Sequence, residues 1–317
     1  MNQAKIMNSS QTILVTGGCG FIGSNLIPML EKKGYKVRVL DNFSKGKPDF
    51  LQSYDVEIVE GDIRSTNDIQ KALNGVDGVI HLAAYGSVVE SVDDPLENFE
   101  INVKGTFNIL NECRKIGINK IVFSSTGGAL IGDAIPPVNE KSIPRPISPY
   151  GSGKLCCEAY CSSFSKSYGM NIIALRFANV IGPISWHKRG AVTAFMKAIM
   201  NEENIIIYGD GKATRDFLYV DDLCRGIILA YVSKITGFNP IHLSSGVEVS
   251  INELANTIIS EGPKTNSQIK YMPKRIGEVE RNFADYSLAK EVLGFNPEFD
   301  LRSSIKKTWR WFLEYSN

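Results

Sequence analysis

Thr12-Ile13-Leu14-Val15-Thr16-Gly17-Gly18-Cys19-Gly20-Phe21-Ile22-Gly23 is the stretch that decides the fold. Thr12 to Thr16 is a short apolar, β-rich run of the kind buried in a parallel sheet. A glycine loop follows at once. Beyond it, Ser24 to Lys33 spaces Leu26, Ile27, Met29 and Leu30 at helical intervals, with Pro28 close enough to the first turn to be tolerated. Gly34 stops that helix, Tyr35 to Leu40 reads as the next strand, and Asp41 closes it. Strand, glycine loop, helix, strand and terminal acid within about thirty residues make a dinucleotide-binding unit. The glycines let backbone approach a pyrophosphate at a helix N-terminus, where N–H groups and the helix dipole favour anions. Asp41 suits the two ribose hydroxyls of NAD and would repel the 2′-phosphate of NADP.

The alternation of strands and helices continues downstream. Val56 to Asp62, Gly78 to Ala84, Ile121 to Thr126 and Asn171 to Phe177 read as further strands, and Ser65 to Leu73 and Asn98 to Ile116 as helices between them. His81 lies within an apolar strand and reads as a satisfied core histidine. Ser124-Ser125-Thr126 places hydroxyls at the carboxyl end of a strand, where doubly wound sheets hold their ligands. Gly127-Gly128 then opens a Pro-rich loop that runs to Pro149. After Phe177 the regular pattern breaks. Ala191 to Met200 and Leu223 to Val232 are helical, Pro240 to Leu243 looks like one more core strand, and Ser250 with Glu253 forms a capping box. The pattern predicts an α/β fold: a Rossmann-type doubly wound parallel sheet with a smaller C-terminal α/β substrate domain. The expected division is 1–180 for the dinucleotide domain, with 214–250 returning to it, and 181–317 for the second.

The totals narrow the class. Across 317 residues the net charge is +1, so bulk electrostatics suggests neither a nucleic-acid nor a membrane partner. No apolar run reaches the length of a bilayer span, and Met1 to Gln11 is a polar tail without a signal-peptide core. The six cysteines, Cys19, Cys113, Cys156, Cys157, Cys161 and Cys224, match no metal-ligand spacing. They read as buried reduced thiols of a cytoplasmic protein that holds no metal.

Ser148-Pro149-Tyr150-Gly151-Ser152-Gly153-Lys154 carries the chemistry. Ser148 is a natural N-cap and Pro149 a natural first helical residue, and the helix should run to about Tyr168, with Gly169 as its stop. Tyr150 and Lys154 therefore share a face, one turn apart. An ammonium beside a phenol favours the phenolate, so the tyrosine pKa is expected to fall toward the useful range for acid–base work. Gly151 and Gly153 in the first turns imply that something approaches the helix closely.

Taken together, these segments resemble the extended short-chain dehydrogenase/reductases, specifically the NAD-dependent nucleotide-sugar epimerases and dehydratases. The resemblance covers nearly the whole chain. It rests on Gly17-x-x-Gly20-x-x-Gly23, Asp41-Asn42, Gly61-Asp62-Ile63, His81-Leu82-Ala83-Ala84, Asn102-Val103-x-Gly105-Thr106, Ser124-Ser125-Thr126, Tyr150-x-x-x-Lys154, Asn179-Val180-x-Gly182-Pro183, and Arg215-Asp216-Phe217 followed by Val220-Asp221-Asp222. It implies that Phe21 and Ile22 meet the pyrophosphate, that Asp41 and Asn42 hold the adenosine ribose, that Asp62 and Ile63 border the adenine, and that Ser44 and Lys45 also bind the cofactor. Leu82, Ala83, Ala84 and Tyr85 would line the nicotinamide side, with Asn102, Ser124 and Phe177 near the cofactor. Tyr150 would be the base, Lys154 its partner on the nicotinamide ribose, and Thr126 the helper hydroxyl, with Ser125 beside it in the catalytic set. Ser87, Asn179, Val192, Phe195, Arg215 and Arg275, together with Thr126, would hold the sugar nucleotide. A planar Arg fork suits a diphosphate.

The branch of the family follows from what comes after Thr126. The resemblance implies an acid there in dehydratases and decarboxylases, and this chain has Gly127-Gly128-Ala129. What remains is reversible oxidation at one carbon: a UDP-sugar 4-epimerase with NAD, working as a homodimer through the helices 98–116 and 149–168. An NAD(P)-dependent 4-keto reductase is the alternative, and a non-catalytic cofactor-binding module the third reading. Gly153, Ile131, Ile181 and Ile184 depart from the family pattern on the sugar side, and the sugar stays open among glucose, N-acetylglucosamine and glucuronate. His187-Lys188-Arg189 could read an acidic sugar or form a solvated basic loop.

Overall fold

The computed structural model describes residues 11–274 and 279–315. The chain opens with β1 (Thr12–Thr16), α1 (Phe21–Lys32), β2 (Lys36–Asp41), β3 (Val56–Glu60), α2 (Thr66–Leu73) and β4 (Gly78–His81). Short helices α3 (Val88–Asp93) and α4 (Pro95–Asn98) lead through a π-turn, Phe99–Lys104, into α5 (Gly105–Ile116). Then come β5 (Lys120–Thr126), α6 (Gly128–Ile131), α7 (Pro149–Tyr168), β6 (Asn171–Phe177), β7 (Asn179–Ile181), α8 (Ala191–Met200) and β8 (Ile205–Tyr208). The remainder is β9 (Thr214–Arg215), β10 (Phe217–Tyr219), α9 (Val220–Val232), β11 (Phe238–Leu243), β12 (Val249–Ser250), α10 (Ile251–Glu261), β13 (Ile269–Met272), α11 (Ser287–Leu293) and α12 (Leu301–Tyr315).

Seven strands form one parallel sheet in the order β11-β6-β5-β4-β1-β2-β3. Its strands are apolar along their length because both faces are covered. Ile13, Val15, Val39, Ile80 and Leu175 point into a core shared with α1 and α9. Leu14, Val79, Ile121, Phe123 and Ile172 point into the opposite core, with α5 and α7. Each such side chain contributes about 1.5–3 kcal/mol on burial. The strand order reverses between β1 and β4, so the loops that follow them part and leave a crevice at their carboxyl ends. A third core gathers Phe195, Met196, Leu254, Ile258, Trp309 and Phe312 from α8, α10 and α12, over the paired strands β8 and β13.

The expected doubly wound sheet is present, and local details differ from the sequence pattern. The helix expected over 98–116 is broken by the π-turn, which faces Asn98 and Asn102 toward one peptide: both amides donate to Tyr85 O, at 3.3 and 3.2 Å. The loop expected from Gly127 begins instead with α6, where Leu130 and Ile131 are fully buried in a small core with Val138. Five of the six cysteines are buried and Cys156 is half-buried; all six are free thiols. Among the described residues no helix is long and apolar enough to cross a membrane, and no cluster of His, Cys, Asp and Glu could hold a metal.

Candidate active site

The glycine loop sits at the crevice. Gly17 has φ +68°, and a Cβ there would lie 2.7 Å from Ala83 N, against the backbone that follows β4. Only glycine satisfies both demands. The loop leads into α1, whose N-cap, Gly20, contributes no side chain, and whose first turn contains no acid. Its N–H groups are thus aimed at the crevice with an anion-binding field. Asp41, at the end of β2, is nearly buried; its carboxylate accepts from Cys19 N at 3.0 Å and Phe43 N at 2.9 Å, which fixes it beside the loop. Burial raises the Asp41 pKa and the two N–H groups oppose that shift. Asn42 donates to Asp62 at 2.9 Å and accepts from the Ser44 hydroxyl at 2.7 Å. Asp62 is gripped by Arg64, which holds its carboxyl down at about 2. These residues fit a dinucleotide: a side-chain-free cradle at a helix N-terminus, and a carboxylate placed for ribose hydroxyls at the neighbouring strand end.

The residues expected to form the acid–base group come together where β5 meets α7. Ser148 caps α7 by accepting from Gly151 N at 3.2 Å, and Gly169 closes it with φ +70°. What approaches the helix is the chain itself: a Cβ on Gly151 would lie 2.0 Å from Ala129 O. The Tyr150 oxygen is hydrogen-bonded to Thr126. Lys154, 2% exposed, donates to Ser124 O at 2.7 Å, with its Nζ 4.7 Å from the Phe123 ring centroid and 6.0 Å from that of Tyr150. Thr126, Tyr150 and Lys154 are thus together, beside the cradle.

The electrostatics corrects one expectation. The Tyr150 phenol is pushed up to about 12, not down; burial outweighs the Thr126 hydrogen bond that favours the phenolate. Lys154 donates its hydrogen bond to the Ser124 carbonyl, not to the phenol, and is itself brought down to about 8 by burial. A sequence shows the charge but not the burial, and here burial is the larger effect.

Other expected residues take varied places. Ser125 does not join the pair; its hydroxyl donates to Glu158 Oε1 at 2.6 Å. Asn102 accepts from Tyr85 N at 2.8 Å and so holds the strip after β4, where Leu82, Ala83 and Ala84 are half-buried. Ile63 packs against Gly105, and the Phe177 carbonyl accepts from Gly127 N at 3.0 Å. Ser87 caps α3, accepting from Glu90 N at 3.2 Å. His81 bridges Thr16 and Thr106 at 2.6 and 3.0 Å and is brought down to about 3, a satisfied core histidine as expected.

On the sugar side, Asn179 donates to Asp216 O and Arg215 to Thr214 O, at 3.1 and 2.7 Å. Val192 and Phe195 are buried in the third core. Arg275 lies outside the described residues. The basic loop folds toward the cradle: Lys188 Nζ is 5.7 Å from the Phe21 ring centroid, and Arg189 and Lys45 reach Glu90 at 3.3 and 3.1 Å. Glu90, Glu158 and Arg176 were not singled out from the sequence. Glu158 falls four residues after Lys154 on the same helical face, which is the signal that could have found it.

With this geometry in view, comparison with known proteins is specific. Residues 13–243 match the NAD dependent epimerase/dehydratase family. The fold is similar to the UDP-glucose 4-epimerase of Thermotoga maritima, solved with UDP-glucose: TM-score 0.92 and 34% identity, covering 97% of this chain and 100% of that one. It is also similar to the UDP-N-acetylglucosamine 4-epimerase of Methanobrevibacter ruminantium, solved with UDP-N-acetylmuramic acid: TM-score 0.90, 33% identity, 97% and 100% covered. A third likeness is to a UDP-glucuronic acid 4-epimerase of Bacillus cereus, solved with NAD and a fluorinated UDP-glucuronic acid: TM-score 0.90, 30% identity, 96% and 100% covered.

Proposed function

The chain belongs to the NAD-dependent epimerase/dehydratase family, and from that premise we propose that it interconverts the C4 epimers of a UDP-sugar through a transient 4-keto sugar. NAD is the cofactor. The observation that carries the reading is the Thr126–Tyr150–Lys154 group beside the dinucleotide cradle, with Gly127-Gly128-Ala129 in place of the acid that elimination would need.

Held by the Gly17–Gly23 loop and Asp41, NAD would supply reversible hydride acceptance at the sugar carbon. Tyr150 takes the proton of the C4 hydroxyl and gives it back. Thr126, bonded to the same oxygen, supports the phenolate and can hold the ketone oxygen. Lys154, pinned to Ser124 O, supplies a fixed ammonium close to the phenol. Asp41 orients the adenosine end, and Asn102 orients the Tyr85 peptide that faces the crevice.

Two copies would pair through α5 and α7. Their outer faces carry Phe107, Tyr160 and Tyr168, exposed at 36%, 39% and 53%, with Phe107 and Tyr160 edge-on at 5.4 Å. Aromatic clusters of this kind on a surface mark an interface.

The three sugars of the similar proteins define the substrates to test. Purified protein is incubated with UDP-glucose, UDP-N-acetylglucosamine and UDP-glucuronate, without added NAD, and the 4-epimer is read by NMR. Formation of an epimer from at least one is expected. No epimer from any of them defeats the reading.

A further inference from the structure

Three consecutive residues at the end of β5 each hold one of three residues spaced a turn apart on α7. Thr126 bonds Tyr150, the Ser124 carbonyl accepts from Lys154 Nζ at 2.7 Å, and the Ser125 hydroxyl donates to Glu158 Oε1 at 2.6 Å. The first two links belong to the acid–base group. The third lies directly behind it and carries a buried charge. Glu158 is 4% exposed and takes a two-pronged grip from Arg176, also 4% exposed: Nε to Oε1 at 3.0 Å and Nη2 to Oε2 at 2.7 Å.

Strand register explains how this grip is aimed. Ser125 on β5 pairs with Arg176 on β6, and Arg176 pairs with His242 on β11, so the three side chains leave the same face of the sheet. Glu158 descends onto that row from α7. His242 is fully buried and brought down to about 3, hence neutral, and Arg176 is the cation that answers Glu158. A buried ion pair is weak evidence for stability, because desolvating both ions offsets their attraction, and here Arg176 Nη1 is buried without a hydrogen-bond partner. The pair does fix position, since breaking either contact strands a buried charge.

We propose that Glu158, clamped by Arg176 and Ser125, is a positioning residue for the Tyr150–Lys154 pair: it sets the height of α7 over the end of β5, and its carboxylate keeps the Lys154 ammonium charged. The charge assignment follows from the groups around Lys154. Cys157 and Cys161 on α7 are thiols raised by burial, and His81 on β4 is neutral. Glu158, one turn along, is the carboxylate that favours the ammonium. This inference rests on the epimerase reading for its kinetic consequence but not for its electrostatic one.

The test therefore has two arms. In the first, the wild type and Glu158→Gln, each with its retained cofactor, are labelled with ¹³C at lysine Cε, and the Lys154 resonance is titrated. The midpoint in Glu158→Gln is expected to fall by about one pH unit, because the anion is lost and Arg176 is left uncompensated. This arm needs no turnover, so a wild type inert on every UDP-sugar would defeat the proposed function without deciding this one. In the second, Ser125→Ala and Ser125→Thr are assayed on the preferred UDP-sugar. Ser125→Ala keeps the ion pair and its fold; kcat should drop about tenfold with KM within about twofold, and Ser125→Thr, which keeps the hydroxyl, should restore it. An unmoved Lys154 midpoint overturns the electrostatic role. A Ser125→Ala enzyme with wild-type kcat, or an equal loss in Ser125→Thr, overturns the positioning role.

Discussion

Replacing Lys154 by Met should abolish turnover and yet leave the fold as stable as before, or more so. Lys154 is buried at 2% exposure, and burial brings its ammonium from 10.5 to about 8. At neutral pH the fold therefore bears a cost of about 3 kcal/mol for holding the side chain charged. Met fills similar volume without charge and can replace the cation over the Phe123 ring, 4.7 Å away, with a sulfur–aromatic contact. Against this stands the hydrogen bond to Ser124 O, worth about 1.5–3 kcal/mol for a charged donor. The balance lies between no change and about 2 kcal/mol of stabilisation at pH 7. The sign with pH is fixed as well. The folded-state value lies below the unfolded one, so wild-type stability from this group is fully present above 10.5 and lost as pH falls to about 8. Urea denaturation of nucleotide-free wild type and Lys154→Met at several pH values gives the difference directly. Between pH 8 and 10.5 the stability difference should move by about 3 kcal/mol in favour of the wild type, which becomes the more stable of the two. A pH-independent difference, or a variant more than about 2 kcal/mol less stable at pH 7, refutes the account of Lys154 as a charge held for function.

Tyr150→Phe removes the acid–base oxygen while keeping the ring, and should lower turnover by about 10²–10⁴ with little change in melting temperature. Gly17→Ala forces a Cβ into a φ of +68° and to 2.7 Å from Ala83 N; the purified variant should retain at least about tenfold less NAD, measured after acid release. Turnover should decline as pH rises through about 8, where Lys154 loses its proton, and a stopped assay from pH 6 to 10 reads that limb. Tyr160→Glu, on the exposed aromatic face of α7, should shift the protein from dimer to monomer in sedimentation velocity if α5 and α7 form the interface.

Much of this molecule was legible because its key features are local. The unit from Thr12 to Asp41 carries its own signals: a glycine that must turn, a helix that must start, an acid that must end a strand. Tyr150 and Lys154 were readable because helix geometry alone brings them to one face. The features that escaped depend on distant partners. Ser125 lies beside Thr126 in sequence, yet strand alternation sends its hydroxyl to Glu158, 33 residues on, and Arg176 meets that carboxylate from another strand. The direction of the Tyr150 shift escaped for a related reason, since it depends on how much protein surrounds the phenol. Val192 and Phe195, expected from the resemblance to hold the sugar nucleotide, lie buried in the third core, whose other walls come from α10 and α12 far along the chain.

The most direct test of the central claim is epimerisation run in D₂O, with the product isolated and its mass and NMR spectrum recorded. Oxidation and reduction at one carbon, with the hydrogen kept inside the site, predicts a 4-epimer that carries no deuterium on carbon. Deuterium at carbon, or a product lighter by water or carbon dioxide, contradicts it and moves the chain to another branch of its family.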